Sequence, residues 1–425
     1  MKKSIGIGLM GLGTVGGGVF KALSEKNRIV DQAVGCPVAL RKILERRPVA
    51  VDPGLITKDV RDILANPEID IVIELLGGEH PAYEYIKEAL LSGRHVVTAN
   101  KEVLAKHGTE LLAIAKDKGV ALQFEASVGG GIPLLLPLQH GLLVNEISTI
   151  YAIINGTTNY ILTRMSQEGM EFAVALKKAQ ELGYAEADPS NDVEGRDATY
   201  KLAILASVGF HTTVKPEQIY CEGISRLAEA DFRYAKELGY EIKLLAIAKQ
   251  VNGAVEARVH PVFIPQDFLL AKVGGVYNAV QVEGDLVGKL IFYGRGAGAQ
   301  PTSSAIISDV ISVGQSIASG KKIPFEMRPP QPKPVRPVSD LKTRYYLRMS
   351  VADQPGVLAQ IARILGDRSI SIASVIQKEA DMATQTAVIV IMTHPAREEF
   401  MQQALAEMKK LPAVREICNL IRVEE

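Results

Sequence analysis

Gly11-Leu12-Gly13-Thr14-Val15-Gly16 directly follows an apolar run at residues 5–9 and opens a helical pattern. In such a loop the first glycine makes a tight turn and the second lets a pyrophosphate approach the backbone. The third permits close helix packing, and the phosphates sit on the positive end of the helix. Gly11, Gly13 and Gly16, with Thr14 and Val15 between them, are therefore candidate dinucleotide-binding residues. An acid for the ribose 2′-hydroxyl should follow roughly 20 residues on. After the second apolar run, at residues 38–40, the chain offers Arg41 and Lys42 instead. Cations there suit a 2′-phosphate and hence NADP, although the same pair also reads as a solvated loop.

Thr98-Ala99-Asn100-Lys101 ends another apolar run, where open α/β sheets place their ligands. Thr98 is a candidate cofactor contact there, and Lys101 could orient an oxygen or a carboxylate; a lone loop lysine is also commonly just solvated. Glu125-Ala126-Ser127-Val128-Gly129-Gly130-Gly131-Ile132-Pro133 sets three glycines beside a carboxylate, which fits backbone packed against a ligand or ion, or a hinge. Asp197 and Lys201 lie four apart on a predicted helix and so share a face. Such a pair is either a surface salt bridge of little consequence or, where the lysine is buried near another cation, a group that could take a proton from an alcohol. Gly294-Arg295-Gly296-Ala297-Gly298-Ala299-Gln300-Pro301-Thr302 leads into an apolar helix and reads as a second backbone cradle near the cofactor.

The elements that must position these residues follow from periodicity. Buried parallel strands at residues 5–9, 38–40, 69–74, 95–98 and 121–124, separated by amphipathic segments, give a Rossmann-type α/β sheet. Helices are predicted over 159–166, 172–182 and 196–208, and strand-like alternation prevails over 243–292, an α+β second domain. Residues 321–340 hold six prolines in twenty residues, a stiff, partly extended linker with few contacts across it. The tail reads strand 345–351, a turn at 353–356, helix, strands 370–376 and 384–392, helix 396–408 and strand 414–423, the βαββαβ order of a ferredoxin-like unit. The expected domains are 1–137, completed by 296–320, then 138–295, the linker 321–340 and the tail 341–425.

Composition narrows the function classes. Lys plus Arg and Asp plus Glu are 48 each, so charge gives no case for nucleic acid or an anionic membrane. The uncharged runs at 4–20 and 126–145 are broken by glycines or prolines and do not read as export or membrane segments. Three dispersed cysteines, Cys36, Cys221 and Cys418, exclude a disulfide framework and a thiolate zinc site, and fit a reducing cytoplasm.

In this order, GLGTVG, TANK, FEASVGGGIP, NGTTNYIL, GYAEADPSNDVEGRDATYKLAIL and GRGAGAQPTSSA resemble the blocks of homoserine dehydrogenases, over residues 5–320. The resemblance implies reversible oxidation of L-homoserine to L-aspartate 4-semialdehyde with NAD or NADP, in threonine, methionine and isoleucine biosynthesis. It implies that Gly11, Gly13, Gly16 and Gly298 line the cofactor, and that Lys101 lies near nicotinamide and substrate. Glu186 would hold the substrate amino group, Asp197 would line the substrate pocket, and Lys201 would donate the proton. Backbone carbonyls of Glu125, Val128, Gly130 and Ile132 would hold a monovalent cation, Na+; the chain departs from the family at Gly129, where alanine is expected. The tail resembles the ACT domain, a small amino-acid-binding regulatory module, through Asp353-Gln354-Pro355-Gly356-Val357-Leu358. Asp353, Gly356 and Val357 are then effector-site residues, threonine the expected effector, and a homodimer or homotetramer the expected assembly.

The base for an alcohol should hold a pKa near the working pH. Lys101 and Lys201 converging on one pocket would lower at least one lysine, with Asp197 partly opposing this. A thioester-forming aspartate-semialdehyde dehydrogenase needs a nucleophilic cysteine with a histidine partner, which none of the three cysteines is placed to supply. A non-catalytic Rossmann–ACT metabolite sensor would leave Lys101, Glu186, Asp197 and Lys201 unexplained.

Overall fold

The computed structural model describes residues 2–320, 331–378, 380–381 and 383–425. Two compact units emerge, Met1–Ile150 with Thr199–Glu217 and Tyr277–Lys333, and Tyr151–Ala198 with Gln218–Val276 and Pro334–Glu425.

The chain opens on β1 (Ile5–Met10), buried at every residue as a central parallel strand must be. The glycine loop leads into α1 (Thr14–Glu25), α2 (Asn27–Val34) and β2 (Val38–Leu44). Then come β3 (Ile56–Thr57), α3 (Arg61–Leu64), β4 (Ile71–Glu74), α4 (Ala82–Leu91), β5 (His95–Thr98), α5 (Lys101–Lys118) and β6 (Leu122–Gln123). These strands form a parallel sheet in the order β3-β2-β1-β4-β5-β6. The order reverses between β1 and β4, the switch point where such sheets bind dinucleotides.

Next follow β7 (Ile147–Ile153), α6 (Gly156–Glu168), α7 (Phe172–Glu181), α8 (Ser190–Val193), α9 (Arg196–Gly209), β8 (Tyr220–Cys221) and α10 (Glu229–Glu237). The long antiparallel pair β9 (Tyr240–Val251) and β10 (Ala254–Pro265) turns on Asn252-Gly253, both at positive φ. The hairpin β11 (Tyr277–Gly284) and β12 (Gly288–Arg295) precedes α11 (Ala299–Ser319). In the first unit α11 returns to the parallel sheet. Its Ala305, Ile306, Val310 and Val313 share a core with Ile5, Ile7, Leu9 and Val19.

The tail comprises β13 (Lys342–Ala352), α12 (Val357–Asp367), β14 (Ile372–Ile376), β15 (Ala380–Asp381), β16 (Thr386–Thr393), β17 (Ala396–Arg397), α13 (Glu398–Met408) and β18 (Val414–Val423). Apart from the two-residue β15 and β17 this is the expected βαββαβ module, with Tyr345, Leu347, Met349, Ile361 and Met401 in its core. Among the described residues no helix is long and apolar enough to cross a membrane.

One expectation is corrected. The sequence suggests a tail joined by a linker with few contacts, but in the second unit the tail continues the sheet of β9 and β10. The order is β9-β10-β18-β13-β16-β14, with Val262 opposite Arg422 and Phe263 opposite Val423. Phe263 stacks on Tyr346 with ring centroids 4.5 Å apart. Buried Glu424 accepts from Arg258 and, at 2.6 Å, from Lys249. Arg422 pairs with Glu398 at 2.6 Å and Glu222 at 2.9 Å. Of the proline-rich segment, residues 321–330 lie outside the described residues; beyond them Val335 bridges Val255, whose amide donates to Pro334 at 2.8 Å.

Candidate active site

In the first unit the glycine loop is built as its spacing predicts. Gly11 has φ +92°, and a Cβ there would lie 2.8 Å from the Leu75 carbonyl oxygen. A Cβ on Gly16 would sit 2.1 Å from the Gly11 carbonyl oxygen, so its hydrogen is needed for packing. Around Gly13 a Cβ would meet nothing within 4 Å. Gly13 is the N-cap of α1 and no side chain caps that helix end. Thr14 and Val15 form the first turn of α1, leaving its uncapped positive end beside open space, a cradle that fits a dinucleotide pyrophosphate.

Arg41 and Lys42 sit elsewhere than the sequence reading puts them. β2 runs to Leu44, so both lie inside the strand, and the loop expected at 41–42 is a correction. Arg41 is 3.8 Å from Glu68, and Lys42 Nζ donates to the Gly54 carbonyl at 2.8 Å. The residues beyond the strand end are Glu45, Arg46 and Arg47. Glu45 is buried and accepts from the Leu12 amide of the glycine loop at 3.0 Å. Its hydrogen bond to the Arg47 side chain, partly opposed by burial, holds its carboxyl down at about 2.

Thr98 ends β5, and its hydroxyl donates to Glu74 at 2.7 Å. Glu74 is fully buried at the end of β4 and also accepts from the Leu76 amide at 2.7 Å; burial raises its pKa, with those hydrogen bonds opposing. Asn100 caps α5 by accepting from the Val103 amide, and its Nδ2 donates to Gly78 at 2.7 Å. Lys101 is thereby fixed as the first residue of α5. Further along α5, the Lys106 ammonium lies over the Tyr200 ring at 5.7 Å, and Thr109 meets Thr213 at 3.2 Å. Lys201, half-buried, follows Tyr200 on α9, so the helices that begin at Lys101 and carry Lys201 are neighbours in this unit.

The triple-glycine loop is a packed junction. A Cβ on Gly130 would lie 2.5 Å from the Gly296 carbonyl oxygen, and one on Gly131 2.7 Å from Pro301 Cβ. The two glycine-rich motifs thus lie against each other, and Gly298, at φ +118°, caps α11 beside them. Gly129 has φ +73° and would bring a Cβ to 2.5 Å from Leu134 Cδ1, which accounts for glycine at this position. The Glu125 carboxylate is buried under the next segment, accepting from the amides of Leu134, Leu135 and Leu136 at 2.5, 2.9 and 2.6 Å. Burial raises its pKa against those three bonds. The Val128, Gly130 and Ile132 carbonyls accept no hydrogen bond among the described residues, a hard-oxygen set that fits a monovalent cation.

The second unit holds the other two substrate candidates. Asp197, 3% exposed, accepts from Asn155 Nδ2 at 2.8 Å, and Asp192 accepts from the same group at 2.6 Å. Asn155 also caps α6 by accepting from the Thr158 amide at 2.8 Å. Lys201 follows Asp197 one helical turn on, along α9. Glu186 is exposed, its carbonyl taking a hydrogen bond from Gln180 at 3.0 Å. In the tail, Asp353 is exposed, Gly356 caps α12 at φ +88° and Val357 is buried. Glu45, Glu74 and Asn155, which bond Leu12, Thr98 and Asp197, are the candidate site residues that sequence reasoning missed. For Asn155 a signal existed, an Asn-Gly-Thr-Thr start to a helix.

Comparison with known proteins follows these contours. Residues 11–125 match the family model for the homoserine dehydrogenase NAD-binding domain, residues 133–311 that for homoserine dehydrogenase, and residues 345–413 the ACT domain. A homoserine dehydrogenase of Pseudomonas aeruginosa is 43% identical, covering 100% of this chain and 99% of its own. The crystal structure of a homoserine dehydrogenase from Thiobacillus denitrificans superposes with a TM-score of 0.94 at 43% identity, over 100% of this chain and 99% of that one. A hyperthermophilic archaeal homoserine dehydrogenase in complex with NADPH matches 73% of this chain and 97% of its own, at 28% identity and a TM-score of 0.63.

Proposed function

The chain belongs to the homoserine dehydrogenase family, and from that premise we propose how its residues divide the interconversion of L-homoserine and L-aspartate 4-semialdehyde. The amides at Gly13, Thr14 and Val15 hold the pyrophosphate of NADP or NAD, with Gly11, Gly16 and Gly298 giving the backbone room. Thr98 and Lys101 serve the nicotinamide end. When bound, the nicotinamide accepts hydride in the oxidative direction and gives it back in the reductive one. Lys201 takes the hydroxyl proton during oxidation and returns it during reduction. Asp197, held by Asn155, orients Lys201 from one helical turn away and keeps its protonated form accessible. Glu186 pairs with the substrate ammonium and helps reject alcohols that lack it.

Carbonyls of Glu125, Val128, Gly130 and Ile132 hold Na+, stiffening the loop behind the cofactor. Threonine binds the ACT turn, its carboxylate at the start of α12 near Asp353, Gly356 and Val357. The enzyme works in the cytoplasm, where Cys36, Cys221 and Cys418 stay free thiols, and as a homodimer or homotetramer. The single observation that carries the catalytic reading is the full-length likeness to homoserine dehydrogenases. Steady-state assay with L-homoserine and each cofactor tests it, and activity requiring phosphate and coenzyme A would overturn it. Lys201→Ala should abolish turnover while leaving NADPH binding nearly intact; retention of most of kcat would move the proton transfer to Lys101 or a water.

A further inference from the structure

In dinucleotide folds an acid after the second strand reads the ribose hydroxyls. This chain has a carboxylate at that place, Glu45, but it is fully engaged. Gly11 donates its amide to Leu44 at 2.9 Å and Leu12 to Glu45 Oε2 at 3.0 Å, which sets Glu45 against the glycine loop. The Arg46 and Arg47 amides donate to Oε1 at 2.9 and 3.0 Å. Arg47 closes the ring with Nε on Oε1 at 3.1 Å and Nη2 on Oε2 at 2.9 Å. A carboxylate offers about four lone-pair sites, and five N–H groups already converge on this one.

We propose that Glu45 is a positioning residue for cofactor choice. By gripping Arg47 and turning the backbone at Arg46, it builds a seat for a 2′-phosphate and is itself withheld from a 2′-hydroxyl, so that NADP is preferred to NAD. This rests on the cofactor reading above and deepens it. Arg47 is 67% exposed, so the edge of its guanidinium not used by Glu45 faces outward. The Glu45–Arg47 pair carries no net charge, and exposed Arg46 keeps the turn positive. A planar guanidinium locked at two of its nitrogens presents its remaining donors in a fixed direction, the arrangement that suits a phosphate dianion. Arg41 and Lys42 lie inside β2, before the turn, and take no part.

The test is calorimetric titration of the full chain with 2′,5′-ADP, 5′-AMP, NADPH and NADH. Arg47→Ala should weaken 2′,5′-ADP and NADPH by about tenfold, one charge-assisted hydrogen bond, and leave NADH within about twofold. Glu45→Gln, which keeps the shape but loses the grip, should lower the same NADPH-to-NADH preference, whereas Arg41→Ala should not. Arg47→Lys should recover part of the affinity for 2′,5′-ADP. Equal weakening of all four ligands would make Glu45 a mere structural prop and overturn the proposal. Selective loss of NADH in Glu45→Gln would also overturn it, because Glu45 would then be reading the ribose itself. Should Glu45→Gln fail to fold, the exposed Arg47 variants decide alone. Homoserine turnover is measured separately, so a failure of the catalytic reading is told apart from a failure of this one.

Discussion

Removing the Asp231 carboxylate should break the tail away from the rest of its unit. Asp231 is wholly buried near the start of α10. It accepts from the Ala228 amide and the Tyr346 hydroxyl, each at 3.0 Å, from Arg348 Nε and Nη2 at 2.7 and 3.0 Å, and from Asn419 Nδ2 at 2.9 Å. Three of those partners belong to the tail strands β13 and β18. Burial, with the neighbouring carboxylate, raises the Tyr346 hydroxyl far above its ordinary range and keeps it a donor. Asp231→Ala would strand the Arg348 guanidinium, whose side chain is only 11% exposed, without its counter-ion. Breaking a buried pair from one side costs about 3–5 kcal/mol, a large part of the roughly 5–15 kcal/mol that holds a native protein together. Urea unfolding should therefore show a much lower midpoint and a reduced slope, because a detached tail leaves less surface to expose on unfolding. The double variant Asp231→Leu/Arg348→Met, which removes both charges, should recover most of the loss. A cost under about 1 kcal/mol, the range of an exposed pair, would refute the argument that this network docks the tail.

Ending the chain at Lys333 should give insoluble or inactive protein, because Arg258 and Lys249 lose Glu424, Asp231 loses Arg348, and β10 loses its parallel neighbour; a soluble, active product would restore the picture of a detachable module. Burial pushes Asp309 up to about 8, against the hydrogen bond from the Glu125 amide and with the charge of the Glu125 carboxylate. The unfolded chain gives up that proton at an ordinary aspartate's 3.8, so this group costs stability increasingly from about pH 4 to pH 8. Asp309→Asn should thus raise the melting temperature at pH 8 and leave it unchanged near pH 4; equal shifts at both would sink the idea. Gly129→Ala should cost about 1–2 kcal/mol for its left-handed backbone, and Gly130→Ala more, since its Cβ would strike the Gly296 carbonyl, which cannot swing aside. A melting temperature raised by Gly129→Ala would mean the loop has another conformation.

Much of the fold was legible because its signals are local and periodic. The fully apolar β1, the glycine loop and the helix at 196–209 need only nearest neighbours to be recognised, and β5 and β18 fall at the residues predicted for them. The end of β2 was not legible for the same reason. Arg41 and Lys42 interrupt its apolar pattern, although the Gly54 carbonyl bonds Lys42 from elsewhere in the chain and Glu68 stands within ion-pair distance of Arg41. The extra helix α2 also lengthens the path from Gly13, so an acid sought roughly 20 residues on stands at Glu45, well beyond that distance.

The docking of the tail was hidden by a deeper ambiguity. Along β13 and β18, Arg348, Asn419 and Arg422 alternate with apolar neighbours, the pattern of a sheet with one face in the core and one in water. Those polar residues are buried instead, because Asp231, Glu222 and Tyr220 of the same unit meet them. A charged residue in a sequence carries no mark of whether its counter-ion is a salt ion in water or a carboxylate two hundred positions away. The distinction rests on tertiary pairing alone. It decides whether the tail is an appendage or part of the body: each arginine buried with a partner is strongly disfavoured once that partner is removed. The tail can therefore move only as the β9–β10 sheet moves with it. Any amino acid bound at the Gly356 turn would act on α10 and β10 through these pairs.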